Sequence, residues 1–103
     1  MFGFKKKQSK ADAALAVMDD AVEIAAEKWR FFCDNLPFRE TVPLADRIAS
    51  FSVPFNEGAR ANIAAFKDAP DAFLLLVVAL GVERSGTHSR AEIEQALGVP
   101  LPN

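Results

Sequence analysis

The residues whose types and spacing could perform chemistry lie between Gly81 and Glu92. If Gly86 is counted as the sixth position of an EF-hand calcium loop, Glu92 takes the twelfth, which in such loops is a bidentate carboxylate. Oxygen-bearing side chains fill the third, fifth, seventh and ninth positions: Glu83, Ser85, Thr87 and Ser89. The first position, however, is Gly81 where a coordinating Asp is needed, and the eighth is His88. We therefore expect no calcium site, no other metal and no cofactor.

A nucleophile paired with a base is the second chemistry to consider. The sequence contains one cysteine, Cys33, and one histidine, His88. A catalytic Cys-His pair requires hydrogen-bond contact between the two, and nothing in their spacing predicts it. A lone cysteine also excludes an intrachain disulfide and a cysteine-based zinc site, which fits a reducing, cytoplasmic location. We expect a protein that is not an enzyme.

Charge is distributed unevenly along the chain. The formal net charge is -2, but Lys5, Lys6, Lys7 and Lys10 supply four of the twelve Lys and Arg residues, so eight remain against fourteen acids. The body of the protein is therefore acidic, whereas binding to nucleic-acid phosphates requires clustered Lys and Arg. We expect no nucleic-acid partner.

The segment from Ser89 to Pro100 resembles the first helix and turn of bacterial helix-turn-helix regulators. In that family a recognition helix follows the turn and enters the major groove of DNA. Here only Leu101, Pro102 and Asn103 follow, so the resemblance does not extend to a recognition helix. DNA recognition is therefore not expected.

The start of the chain combines two aromatic side chains, Phe2 and Phe4, with the basic run Lys5, Lys6 and Lys7. A segment this short and charged has no periodic apolar face, so we expect residues 1–8 to form a tail outside the core. The same composition suits an anionic membrane surface, which attracts lysines and admits aromatic rings at its interface. Peripheral membrane association through these residues is therefore one alternative.

An uninterrupted apolar run from Ala72 to Val82 dominates the second half of the chain. A helix that is apolar all round must be surrounded by protein or lipid, and this one is well short of the ~20 residues that span a membrane. We therefore predict a buried central helix. Asp68 is the predicted capping residue, with Pro70 in the first turn. Gly81 either ends the helix or permits close packing within it, and Gly86 is the firmer predicted end.

The longest predicted element runs from Ser9 to Leu36, where apolar residues recur at heptad spacing. One heptad column holds Leu15, Val22, Trp29 and Leu36, and the next holds Ala11, Met18, Ala25 and Phe32. Val17, Ile24 and Phe31 widen this stripe past half of the circumference, which predicts two contact faces. The acids on the opposite face are Asp12, Asp19, Asp20, Glu23, Glu27 and Asp34. That face could bind a basic protein partner.

Prolines and glycines divide the remainder into short elements. Two helices are predicted to begin at Pro43 and at Pro54, and the capping box from Ser89 to Glu92 opens a last helix that ends at Gly98. The predicted fold is an all-α, compact bundle of about five helices, with a long amphipathic first helix and a buried central helix. A single helical domain would span residues 9–98, followed by an extended tail at 99–103.

These features favour a cytoplasmic, non-catalytic protein that acts through protein-protein interaction. Three short helices offer little cover for a broad first helix and an all-apolar central helix, so a second chain is expected, as a homodimer. The predicted interface consists of Leu15, Val22, Trp29 and Phe32, because Trp29 is large enough to fill an interface core. A small-molecule-binding or enzymatic pocket without a sequence signature is a further alternative.

Overall fold

Four α-helices make up most of the fold in a computed structural model, which describes residues 10–36 and 41–102, with the backbone alone for residues 10–15. They are α1 (Lys10–Asn35), α2 (Leu44–Asn62), α3 (Asp71–Ser85) and α4 (Arg90–Leu97). A 3-10 turn at Ala64–Phe66 connects α2 to α3. These residues contain no strand, so the expected all-α class is confirmed.

A single helix, α2, replaces the two short helices that were predicted to meet at Pro54. Proline inside a helix removes a hydrogen bond and costs about 3 kcal/mol or more. Continuing the helix keeps one apolar face in the core, and each fully buried large side chain contributes about 1.5–3 kcal/mol. The buried apolar members of that face are Ile48, Phe51, Phe55 and Ala59. Burial thus exceeds the cost of Pro54, which is exposed, and the described fold has four α-helices instead of about five.

The apolar run predicted as a central helix forms α3, which supplies much of the core. Its fully buried side chains are Leu74, Val77, Val78, Ala79 and Val82. Gly81 lies against α1 so closely that a Cβ built on it would be 2.6 Å from the Cβ of Ala25. The absence of a side chain at Gly81 therefore sets how closely α1 and α3 approach.

The start of α3 differs from the prediction that Asp68 caps it. The helix begins at Asp71, and Pro70 precedes it without any side-chain capping bond. Instead, Arg60 of α2 donates to the carbonyl of Ala69 from Nε at 3.1 Å and Nη2 at 2.8 Å, and Nη2 lies 2.6 Å from Asp71 Oδ1. A long-range arginine therefore fixes this helix start, which local spacing could not reveal.

The predicted last helix and its ends are present. Ser89 and Glu92 form a reciprocal capping box on α4, and Gly98 follows the helix with a φ of 74°, which favours glycine. The segment after α4 is packed against the domain, because Leu101 is buried and its carbonyl accepts a bond from Arg90 Nη1 at 2.9 Å.

Candidate protein-docking groove

The residues predicted as a dimer interface lie mainly inside the chain. Trp29 is 0% exposed and Val22 is 3% exposed, and Phe32 is partly buried against the same core. The side chain of Leu15 lies outside the described residues. In this fold, therefore, α1 directs Val22 and Trp29 into the intrachain core, where α3 packs along α1. Sequence periodicity identified the apolar side of the helix but could not identify which element covers it.

Trp29 is held by both aromatic and polar contacts. Its ring centroid lies 5.5 Å from that of Phe32 and 5.4 Å from that of Phe51, within the range of favourable aromatic pairs. Its indole Nε1 donates to Thr87 Oγ1 at 2.9 Å. His88 Nδ1 also lies 2.9 Å from Thr87 Oγ1. Trp29 therefore joins α1 and α2 to the turn between α3 and α4.

His88 lies in the turn between α3 and α4, where its ring contacts Trp29. Its ring lies edge-on to Trp29, with centroids 6.2 Å apart. Burial, followed by the positive charge of Arg47, lowers the pKa of His88, while the negative charge of Glu92 raises it. Cys33 is itself buried, so a nucleophile there would be shielded from a substrate.

The residues considered as a calcium loop, Gly81 to Glu92, do not form a continuous loop. Gly81 and Ser85 both belong to α3, so the first half of the register is helical. Glu83 accepts two bonds from Arg90, each at 2.9 Å. The Glu92 carboxylate accepts from the backbone N–H of Ser89 at 2.8 Å, and this capping bond lowers the pKa of Glu92. The candidate ligands are thus engaged in helix ends and an ion pair.

The acidic face of α1 is partly neutralised by α3. Arg84 Nη2 lies 2.8 Å from Asp19 Oδ1, and Nη1 lies 3.3 Å from Glu23 Oε1. The hydrogen bond with Asp19 is the main reason that the pKa of Arg84 is raised. Three exposed acids, which we call the acidic row, have no ion-pair partner among the described residues: Asp20, Glu27 and Asp34. Because they recur at seven-residue spacing, they face one side of α1.

An open groove of about 400 Å³, which we call the α1–α2 groove, runs between these two helices. Its lining from α1 consists of Ala21, Ile24 and Lys28. The lining from α2 and the residue that follows it consists of Phe51, Pro54, Phe55, Gly58, Ala59, Asn62 and Ile63. Most of these side chains are apolar, and the small residues Ala21, Gly58 and Ala59 leave space between the larger ones. Its volume lies at the lower end of the range of ligand pockets.

An exposed apolar side chain lies at the edge of the groove on its α1 side. Ile24 lines the groove and is 41% exposed, although it is large and apolar. On a helix, residues three and four apart are neighbours, so Ile24 lies beside both Asp20 and Glu27 of the acidic row. The groove therefore combines an apolar floor with a negatively charged outer border. This combination suits a segment that has apolar side chains on one side and cations on the other.

A second depression, of about 680 Å³, lies between α1, α3 and the end of the described chain. Four charged residues contribute to its lining: Asp19, Glu83, Arg84 and Arg90. They pair with each other in two ion pairs, Arg84 with Asp19 at 2.8 Å and Arg90 with Glu83 at 2.9 Å. Because these charges are already compensated, this depression is a weaker candidate for binding a charged ligand than the α1–α2 groove.

The groove residues on α1 were visible in the sequence but were not selected as a site. Ile24 belongs to the broad apolar stripe, from which Val22 and Trp29 were chosen instead as the predicted interface. The local signal that distinguishes Ile24 is its position between acids at i-4 and i+3. The α2 side of the groove has no such signal, because it depends on how α2 packs on α1.

Metal-binding geometry, membrane-spanning helices and similarity to known proteins do not indicate a function for the described residues. Within residues 10–36 and 41–102, no group of His, Cys, Asp and Glu is arranged to hold a metal ion. No described helix is sufficiently long and apolar to cross a membrane. Comparisons with known protein families, curated proteins and solved structures found no match.

Proposed function

We propose that this chain is a cytoplasmic, non-catalytic interaction protein that self-associates, and that the α1–α2 groove is its contact surface. The observation that carries the proposal is the exposure of Ile24 at the edge of an apolar groove. Covering such a surface removes apolar area from water, which contributes roughly 25 cal/mol for each Å². A second chain supplies that cover in the homodimer we propose.

The acidic row indicates what kind of segment would bind. Glu27 and Asp20 lie beside Ile24 at the edge of the groove and form no ion pair with the described residues. Lysines or arginines on a partner segment would therefore gain favourable contacts there without displacing an existing pair. Lys28 lines the groove itself and disfavours a cation on the groove floor. The preferred partner surface is apolar toward the groove and basic toward the acidic row.

Sedimentation equilibrium of the full chain at micromolar concentration tests the proposal. The test variant is Ile24→Lys, which places a charge at the edge of the groove. Its matched control is Val53→Lys, because Val53 is also an apolar helix residue and is 70% exposed, but does not line the groove. We expect a dimer mass for the wild type and for Val53→Lys, and a monomer mass for Ile24→Lys.

Two results would contradict the proposal. A monomer mass for the wild type throughout the micromolar range would remove self-association. Equal association by Ile24→Lys and the wild type would place the contact surface elsewhere. Circular dichroism melts of both lysine variants check that each is folded, since substitutions at exposed sites usually change stability by less than about 0.5 kcal/mol.

Peripheral membrane association is the competing proposal, and it depends on residues outside the described part of the chain: Phe2, Phe4, Lys5, Lys6 and Lys7. Vesicles with and without phosphatidylserine test it directly. Binding that requires the anionic lipid, weakens with salt and is lost when the three lysines are replaced by Gln would support this alternative. Equal sedimentation with both vesicle types would count against it.

A further inference from the structure

We infer that the α1–α2 groove binds the amino-terminal segment, residues 1–9, of a second copy of this chain. Phe2 and Phe4 would enter the groove, and the following lysines would contact the acidic row. The inference rests on the proposed function, because it names the part of the second copy that occupies the same groove. It is carried by three observations: complementary chemistry, matching dimensions and the limited reach of the segment.

The chemistry of the segment and the groove is complementary in both parts. The segment places two aromatic rings directly before the basic run Lys5, Lys6 and Lys7. The groove places an apolar lining beside two exposed acids, Asp20 and Glu27, that have no ion-pair partner among residues 16–36 and 41–102. Aromatic rings would be buried in the lining, while lysines would meet carboxylates that form no ion pair with the described residues.

The spacing within the segment also fits the length of the groove. In an extended chain, residues two apart point to the same side and lie about 7 Å apart, so Phe2 and Phe4 can enter one groove together. The α1 lining runs from Ala21 to Lys28, which corresponds to about 10 Å along the helix axis. Lys5 would then point away from the floor, on the outward side where the acidic row lies.

The reach of the segment favours a second copy over the same chain. Because α1 begins at Lys10, Ile24 lies about 21 Å along the helix axis from the end of the segment. Phe4 precedes Lys10 by six residues, which span at most about 20–22 Å when fully extended, roughly the same distance. The chain must also reverse direction to run back along α1, which shortens that reach. With that reversal, the backbone of Phe4 falls short of Ile24 in its own chain, whereas the segment of another copy has no such limit.

A peptide titration tests the contact itself. The probe is a fluorescent peptide with the sequence of residues 1–10, titrated by anisotropy onto the full chain carrying Phe2→Ser and Phe4→Ser, in which the groove is unoccupied by its own segment. Adding Ile24→Lys to that chain, or replacing both Phe residues of the peptide by Ser, should weaken binding at least about tenfold, because each substitution removes buried apolar area. Adding Val53→Lys should leave binding unchanged.

Sedimentation equilibrium then decides whether the contact joins two copies. We expect the full chain with Phe2→Ser and Phe4→Ser to be monomeric where the wild type is dimeric. If this variant dimerises as tightly as the wild type while Ile24→Lys does not, the groove keeps its role and our choice of occupant is wrong. If the wild type is also monomeric, the proposed function fails together with the inference. A peptide that binds phosphatidylserine vesicles but not the chain would likewise overturn the inference.

Discussion

Helices α1 and α3 approach each other closely at Gly81. We therefore expect Gly81→Ala to destabilise the fold, although helix propensity alone predicts that it would stabilise it. Replacing Gly by Ala inside a helix normally stabilises it by about 1 kcal/mol. At Gly81, however, the new Cβ would lie 2.6 Å from Ala25 Cβ and 3.1 Å from both Ala25 C and Ala26 N. Two of these three atoms belong to the backbone, so rotation of a side chain cannot relieve the overlap.

The expected magnitude follows from the distance. Ordinary carbon contacts begin at about 3.5 Å, so α1 must move away from α3 by about 1 Å at this point. The helices that would separate include the buried residues Ala25 and Val78. Overpacking of this kind typically costs about 1–3 kcal/mol, from which the gain in helix propensity is subtracted. We therefore expect Gly81→Ala to reduce the free energy of unfolding by up to about 2 kcal/mol.

The chain contains a matched control at Gly58, in the middle of α2. A Cβ added at Gly58 would have no atom within 4 Å, so the same substitution there should show propensity alone. We expect Gly58→Ala to raise the free energy of unfolding by about 0.5–1 kcal/mol. Thermal melts followed by circular dichroism at low protein concentration measure both, since association then adds little to the apparent stability.

For a domain of this size, a change of 1 kcal/mol shifts the melting temperature by about 4–8 °C. Gly81→Ala should therefore lower the melting temperature by up to about 15 °C, while Gly58→Ala should raise it by a few degrees. If Gly81→Ala melts at or above the wild-type temperature, α1 and α3 are not in tight contact at this position, and the packing at the centre of the fold is different from that described.

Three further predictions concern the core and the turn that contacts Trp29. Val78→Asp should unfold the domain, because an unpaired carboxylate at a fully buried position costs several kcal/mol, out of a total free energy of unfolding of about 5–15 kcal/mol. Leu75 is half-buried, so circular dichroism melts should show that Leu75→Asp is tolerated better. Thr87→Val should lower the free energy of unfolding by about 1 kcal/mol, because it removes the acceptor of the buried Trp29 N–H, and melts followed by Trp29 fluorescence would detect it. Because the pKa of His88 is lowered in the folded state, the unfolded chain binds more protons just below pH 6.5, so stability should fall as the pH drops through this range and His88→Gln should reduce that dependence.

Local sequence chemistry determined the helical class and several helix ends. Ser89 and Glu92 meet the requirements of a capping box by their spacing alone, and Gly86 and Gly98 end helices because a positive φ favours glycine. The buried character of α3 was also predictable, because an apolar run from Ala72 to Val82 leaves no polar face for solvent. These features depend on neighbours within a few residues.

Features that depend on distant residues were decided by tertiary packing. Pro54 predicted a break between two helices, but burial of the face that includes Phe51 and Phe55 maintains one helix. Asp68 had the spacing of a cap, but Arg60 from another helix organises the start of α3. In both cases a local preference of a few kcal/mol or less was exceeded by contacts between elements.

On α1, the sequence determined one feature of the candidate site and tertiary packing determined another. Sequence periodicity established that Trp29 and Ile24 both belong to an apolar stripe wider than one contact face. Only the tertiary structure decided that Trp29 is enclosed between α2, α3 and the following turn, whereas Ile24 stays at the edge of a groove. The physical reason is that hydrophobic burial is non-directional: it requires that an apolar face be covered, but the order and angle of the other helices determine which residues they reach.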